Sequence, residues 1–433
     1  MLQAGSEVVD GKRFKKALAE LYGRDKKTLR NQLTRYRRIL DAFKIHFPEG
    51  DVHWFSSPGR IELGGNHTDH NAGRVLAASI DLDSVAAAKK TTGAVITVHS
   101  EGFPAPFIVD TNDPAARSAE RGTTAALIRG TAARFKELGY LVGGFDAQIS
   151  STVMVGSGLS SSASVEVLLG AILSALYNRG RVKPETLAMI GQHAENVYFG
   201  KPCGLMDQMT CAVGGVVAID FKDARHPRVA RVPFDFGGQG FRLVVVNTGG
   251  NHADLTDDYA SVPREMKAVA AHFAKPVCRE IDYPAICASV RDLREVVGDR
   301  AILRALHFLD ENQRVARQVE ALKKKRFPEF LRLVNESGDS SFKWLQNCYT
   351  TKNLREQGVS LALAFTRHYL DHKAQGACRV HGGGFAGTIL VFLPDRHLDG
   401  YRKLMEAIFG IGSVLVLAVR PRGAVHINSM ISG

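Results

Sequence analysis

Apolar residues near the start of the chain, Leu29, Leu33, Tyr36, Leu40 and Phe43, recur at helical spacing, which predicts an amphipathic helix pair over residues 11–45. From residue 52 to about 155 the spacing shortens to β-type runs at 85–89, 94–99, 107–109 and 145–149. Clusters of Gly, Pro, Asp and Asn separate them, predicting a sheet-rich half. Past Gly158, the series Val165, Leu168, Leu169, Ile172, Leu173 and Leu176 predicts one buried helix, and a second is expected around 184–197. A strand at 242–247 opens a second half in which helical patterns dominate, at 262–273, 301–323, 327–337 and 354–368. Two strands, 387–392 and 414–419, come near the end. No repeat of 20–50 residues is visible. Strands and helices occur in both halves without strict alternation, so the expected fold class is α+β.

With 433 residues, 45% of them apolar, the chain can bury a full core and divide into two or three domains. Fifty-six Lys plus Arg against 44 Asp plus Glu give a net charge of +12, which favours anionic ligands without choosing among them. Much of the excess lies in the first helix pair, where basic residues opposite an apolar stripe form a solvated face; no nucleic-acid or membrane role is expected there. The six cysteines all follow residue 200 and include no C-x-x-C pair, which argues against a disulfide framework or zinc ribbon. No apolar leader opens the chain, and runs such as 389–393 are far shorter than a membrane span. A soluble protein of a reducing, cytoplasmic compartment is expected.

Four stretches could carry chemistry. Gly156, Ser157, Gly158, Leu159, Ser160, Ser161 and Ser162 form a glycine and serine loop running into the buried helix. Its backbone N–H groups and the helix N-terminus suit a polyphosphate, although a serine N-cap would use part of the same pattern. It is not a G-x-x-x-x-G-K-[ST] loop, and the chain has no protein-kinase H-R-D or D-F-G set. Residues 57–71 crowd Arg60, Asn66, His67 and Asp69 around a glycine-rich turn. Asp69 can accept two sugar hydroxyls and Arg60 can neutralise a phosphate, while an ordinary Asx-rich turn is the alternative. Glu195 and Asp207 stand twelve residues apart, so that one could serve a hard cation and the other a proton. The fourth stretch, residues 381–387, places three consecutive glycines before a strand, for close backbone packing or for a ligand.

In this order the four stretches resemble the GHMP small-molecule kinases, and within them the galactokinase family. Residues 60–71 are similar to its sugar signature, 156–163 to its phosphate loop, 202–208 to the segment with its catalytic aspartate and 382–387 to its C-terminal glycine motif. The resemblance runs from about residue 47 to 424. It implies a two-domain architecture: residues 1–45 a helical extension, 46–235 an N-terminal domain resembling ribosomal protein S5 domain 2, and 236–433 a ferredoxin-like domain. It further implies transfer of the γ-phosphoryl group of ATP to the anomeric hydroxyl of a hexose. Asp207 matches the catalytic aspartate and Arg60 the arginine beside the reacting hydroxyl. Ser162 and Glu195 match Mg²⁺ ligands, and His67, Asp69, Gly204 and Tyr259 match sugar contacts. A monomer with sugar and ATP as its partners is the expected state.

The family signature typically reads G-R-x-N-[LF]-I-G-E-H-T-D-Y-N, whereas this chain has Glu62, Gly64, Asn66 and His70 at its asparagine, isoleucine, glutamate and tyrosine positions. The resemblance places Asn66 near the sugar's C6 substituent, where an amide replaces a carboxylate. Galactose, held through its neutral C6 hydroxyl, is the expected substrate and galacturonate the alternative. A silent sensor of galactose and ATP is a third reading, opposed by the presence of Arg60, Ser162, Glu195 and Asp207 together.

Overall fold

The computed structural model describes residues 9–431 except 155, 157, 224 and 251–254. Helices α1 (Lys12–Tyr22) and α2 (Lys26–His46) precede a first sheet. Its strands are β1 (His53–Gly64), β2 (Arg74–Lys90), β3 (Val95–Ser100), β4 (Phe107–Asp110), β5 (Phe145–Ser151), β6 (Val216–Asp220) and β7 (Arg228–Arg231). Between them run α3 (Thr124–Glu137), α4 (Ser161–Asn178), α5 (Pro184–His193) and α6 (Met206–Val213). A second sheet is made of β8 (Phe241–Asn247), β9 (Ala377–His381), β10 (Thr388–Pro394) and β11 (Val414–Leu417). Helices α7 (Thr256–His272), α8 (Tyr283–Val296), α9 (Asp299–Lys323), α10 (Phe327–Ser340), α11 (Gly358–Lys373) and α12 (Leu398–Phe409) accompany it, and β12 (Val425–His426) and α13 (Ile427–Ile431) come last.

The first sheet runs β12-β1-β2-β5-β3-β4, with β6 on the early part of β2 and β7 beyond β6; among the described residues β3 and β5 are its one parallel pair. Along one edge, strand β2 serves two partners in turn, β6 through Arg74–Ala78 and β5 through Ser84–Lys90, and among the described residues the pairings end at β12, β4 and β7. The second sheet is antiparallel in the order β11-β8-β10-β9. Residues 425–431, grouped by the sequence with 236–433, return to the first sheet, where His426 pairs with Phe55 and Val425 with Ser56.

One apolar cluster joins the two sheets, with Ile61, Leu63 and Leu76 packed with Leu243, Val245, Phe330, Leu390 and Phe392. A second covers the other face of the first sheet, where Ile149 and Ala147 meet Leu168, Leu169, Ile172 and Leu173 of α4. Helix α4 is long and apolar enough to cross a membrane by composition, yet most of it is buried in this core. The same all-round hydrophobicity is what a fully buried helix requires.

The basic face of α1 and α2 does not remain wholly in water. Arg35 points inward and pairs with Asp83 at 2.6 Å, while Arg420 reaches the same carboxylate at 2.9 Å. Tyr22 donates to it at 2.5 Å, and Ser56 also donates. Burial pushes the Asp83 carboxyl up, but the two guanidinium groups and the hydroxyl donors outweigh it and hold the group below its ordinary value. The docked helices bury Phe14, Leu18, Tyr36 and Phe43 against Trp54, Val85 and Ile427.

Two further differences concern the site. The stretch before Gly65, expected as a turn, is strand β1, and its pairing with β2 shifts register between Pro58 and Arg60 and between Glu62 and Gly64. Such bulges bend a strand and re-aim its side chains. Helix α3 interrupts the half expected to be sheet-rich, and Gly130 lets it approach Ala194 and Tyr198 closely.

Candidate active site

Arg60, on the bulged part of β1, makes a two-pronged bond to Asp207 in the first turn of α6, Nε to Oδ1 at 2.7 Å and Nη2 to Oδ2 at 2.8 Å. Its third nitrogen donates to the Gly158 carbonyl, and Ser160 Oγ donates to Asp207 Oδ2. Burial raises the Asp207 carboxyl, but Arg60 and the hydrogen bonds from Arg60 and Ser160 prevail and lower it, so it is ionised at neutral pH. The loop is pinned beside this pair. Leu159 is fully buried, its carbonyl accepts the Arg60 N–H at 3.1 Å, and Gly156, Gly158 and Ser160 adopt left-handed backbone before α4 begins at Ser161. Of the expected phosphate-loop residues, Ser157 lies outside the described residues.

In the first turn of α4, Ser162 Oγ donates to Glu195 Oε1 at 2.9 Å. Glu195 lies in a π-helical turn (Ala194–Phe199) that extends α5. Such widened turns recur at functional sites. Its other oxygen accepts from Gln208 Nε2 at 2.8 Å, and the same amide nitrogen donates to Glu166 Oε2 at 3.0 Å. Lys201 Nζ stands 3.5 Å from Glu195 Oε1. Glu166 is fully buried, and desolvation together with the neighbouring Glu195 raises its carboxyl well above the ordinary value. A hydroxyl and a carboxylate at a helix N-terminus form an oxygen donor set that fits Mg²⁺, which completes its shell with phosphate oxygens and water. Among the described residues no three His, Cys, Asp or Glu side chains form a metal cluster.

Three residues before Asp207 in the chain, Gly204 meets Asp69. They are packed so closely that a Cβ on residue 204 would lie 1.7 Å from Asp69 Oδ2. His67 has left-handed backbone, and its Nε2 is 2.9 Å from the Gly383 carbonyl. Burial and the nearby His70 depress its imidazole to about 3, so the ring is neutral. Tyr259 donates to the Gly384 carbonyl at 2.8 Å, with its ring against Gly383. His252, Ala253 and Asp254, which precede it, lie outside the described residues.

Asn66 is placed differently from the expectation that it faces the sugar. Its side chain is fully buried, and every hydrogen-bonding group of the amide already has a protein partner: Glu62 and Gly382 accept from Nδ2, while Asn347 and Ser341 donate to Oδ1. A hydroxyl of a ligand would have to break one of these bonds. Sequence reasoning also passed over Gln208, Lys201, Glu166 and Arg379. Gln208 was adjacent to a chosen residue, whereas Arg379 is tied to the site only through its contact with Glu62.

Comparisons with known proteins bear on the same segments. A model described as the galactokinase galactose-binding signature matches residues 41–90, and one described as the GHMP kinases N-terminal domain matches residues 126–215. A galactokinase of Streptomyces coelicolor is 31% identical over 381 residues, covering 87% of this chain and 91% of the relative. The chain belongs to the galactokinase family. A galactokinase of Glaesserella parasuis is 27% identical, with 84% of this chain and 91% of the relative aligned. Among solved structures, the Lactococcus lactis galactokinase complexed with galactose superposes with a TM-score of 0.77 at 24% identity, covering 90% of this chain and 99% of that one. A mevalonate kinase superposes at 0.59 with 16% identity, covering 85% and 99%. The fold is thus the two-part α+β architecture of GHMP kinases.

Proposed function

We propose that the chain is an ATP-dependent sugar 1-kinase that transfers the γ-phosphoryl group of ATP to the anomeric hydroxyl of galactose. The observation that carries this reading is the Arg60–Asp207 pair, bonded to the loop before α4 through Gly158 and Ser160, with the Asp69–Gly204 contact three residues before Asp207 in the chain. Phosphoryl transfer asks a protein mainly for positioning and charge neutralisation. The loop N–H groups and the α4 N-terminus would receive the phosphates, and Ser162 and Glu195 would hold Mg²⁺. Bound there, the cation neutralises charge on the phosphate oxygens. Asp207 takes the proton of the anomeric hydroxyl as its oxygen bonds to the γ-phosphorus, the bond to the bridging oxygen breaks, and ADP leaves. Arg60 keeps Asp207 ionised and oriented. His67 and Asp69 orient the sugar, with Gly204 giving room and Tyr259 bracing the glycine motif.

In this reading residues 46–235 bear the loop, Arg60 and Asp207, residues 236–433 supply the glycine motif, and the protein acts as a cytoplasmic monomer. Engagement of Asn66 inside the protein weakens the ground on which galacturonate stood as the alternative to galactose. Coupled ADP release with MgATP and a panel of galactose, galacturonate, N-acetylgalactosamine and 6-deoxygalactose tests the proposal. Galactose should give the highest kcat/KM; binding without ADP release would instead support the sensor, and galactose ranking last would overturn the substrate assignment.

A further inference from the structure

The sugar-side turn and the second half of the chain meet at a knot of buried polar groups. Glu62 on β1 accepts from Arg379 Nη2 of β9 at 2.7 Å, with both side chains almost wholly buried. Among the described residues the Arg379 Nε and Nη1 atoms have no hydrogen-bond partner, and Glu62 is the acceptor this guanidinium meets. Asn66 Nδ2 donates to Glu62 Oε1 at 3.1 Å and to the Gly382 carbonyl at 2.8 Å. Its Oδ1 accepts from Asn347 at 2.7 Å and Ser341 at 3.3 Å. The Asn66 carbonyl also meets His307 Nε2 of α9 at 3.0 Å. His67 and Asp69 follow directly in the chain.

The residue types at 62 and 66 are complementary. Position 66 must give hydrogens to two acceptors and take them from two donors, which a primary amide can do and a carboxylate cannot. Position 62 gives the buried Arg379 guanidinium a carboxylate oxygen at 2.7 Å, and removing such a partner from a buried guanidinium is costly. A carboxylate at 66 alone would face Glu62 within hydrogen-bonding distance, like charge against like charge. These are two of the positions at which the signature departs from the family pattern, and there the carboxylate and the amide have traded places.

We infer that Glu62 and Asn66 act as one positioning unit, fastening the His67–Asp69 turn to the glycine motif so that the proposed sugar-binding turn is set by the second half of the chain. The inference rests on the proposed galactose kinase activity for its kinetic readout only. The test compares the full chain with Glu62→Asn, Asn66→Glu and the double exchange, by urea unfolding and by KM for galactose and for ATP separately. Each single exchange should lower kcat/KM for galactose by about tenfold or more, with KM for ATP within about twofold, and the double should lose clearly less than the product of the two single losses, because it relieves the like charge that Asn66→Glu alone creates. The unfolding midpoints should show the same departure from additivity. Losses that simply multiply in the double, or KM values for sugar and ATP that rise together, would overturn the unit. If the single exchanges do not fold, recovery of a folded double supports it and an unfolded double counts against it. Asn347→Ala then supplies a milder arm: it removes one donor to Asn66, and should raise KM for galactose several-fold while leaving KM for ATP unchanged. An unchanged galactose KM there overturns the inference. Absence of turnover in the native chain would defeat the kinase reading instead, and the unfolding cycle, which needs no substrate, would still decide the coupling.

Discussion

Gly204→Ala perturbs the proposed sugar pocket without removing a functional group. Gly204 does not adopt left-handed backbone, so alanine fits its conformation. The added Cβ, however, would lie 1.7 Å from Asp69 Oδ2, where real contacts essentially never fall below 3.0 Å. The carboxylate has to retreat by at least about 1.3 Å from where it now stands. Its other oxygen accepts the His70 N–H at 3.0 Å, so the side chain would swing rather than shift as a whole. Misplacement of a positioning group by ~1 Å costs on the order of 10²-fold in rate, equivalent to about 2.7 kcal/mol of transition-state stabilisation. Coupled ADP release with galactose and ATP varied in turn should therefore show kcat/KM for galactose reduced ~100-fold and KM for ATP changed by less than about twofold. Thermal unfolding should show a midpoint close to that of the native chain, since the strain is relieved by one partly exposed side chain. A folded variant with kcat/KM for galactose within about threefold of native would refute the placement of Asp69 against the sugar.

Asp207→Asn keeps the shape of the side chain but loses the proton acceptor, so kcat should fall by on the order of 10²-fold or more while calorimetry still detects sugar and ATP binding; normal turnover would remove Asp207 from the mechanism. Because the Asp207 carboxyl is lowered, kcat/KM should show no loss from this group between about pH 5 and 7, with any acid limb falling below the ordinary carboxylate value of about 3.9. Gln208→Met removes the amide that steadies Glu195, and should raise the Mg²⁺ concentration for half-maximal activity by about 10–100-fold; Mn²⁺ binding followed by electron paramagnetic resonance gives a readout independent of turnover. Asp83 has a lowered carboxyl, so its contribution to stability is fully present above the unfolded value of about 3.9 and is lost as pH falls through the folded value. Urea midpoints against pH should decline below about pH 4, and Asp83→Asn should flatten that decline.

What the sequence disclosed depended on how local the cause was. The loop before α4 was legible because glycine, serine and an apolar helix follow one another within a few residues, and Arg60 and Asp207 stood inside recognisable stretches. The burial of Asn66 was not legible, since Gly382, Asn347 and Ser341 are about 280–320 positions away and only the folded chain brings them together. The only sign was the simultaneous change at 62 and 66. Arg35 passed for a solvated residue for the same reason: its partner Asp83 is in β2, and charge patterning within one helix cannot register it. Helix α3 escaped because alanines and Gly130 weaken its apolar period, and the glycine is there to admit Ala194 and Tyr198, a tertiary demand.

Two of the terminal strands of the first sheet, β4 and β7, bear on how the protein avoids sticking to copies of itself. An unpaired strand exposes backbone groups that another chain can recruit, and nature blunts such margins with short strands, proline and charge. Strand β4 offers four residues and is entered through Pro104 and Pro106, while β7 offers four and begins and ends with arginine. With Ile108 more than half exposed on β4, resistance to intermolecular strand pairing there falls to brevity and to two rings that lack an N–H.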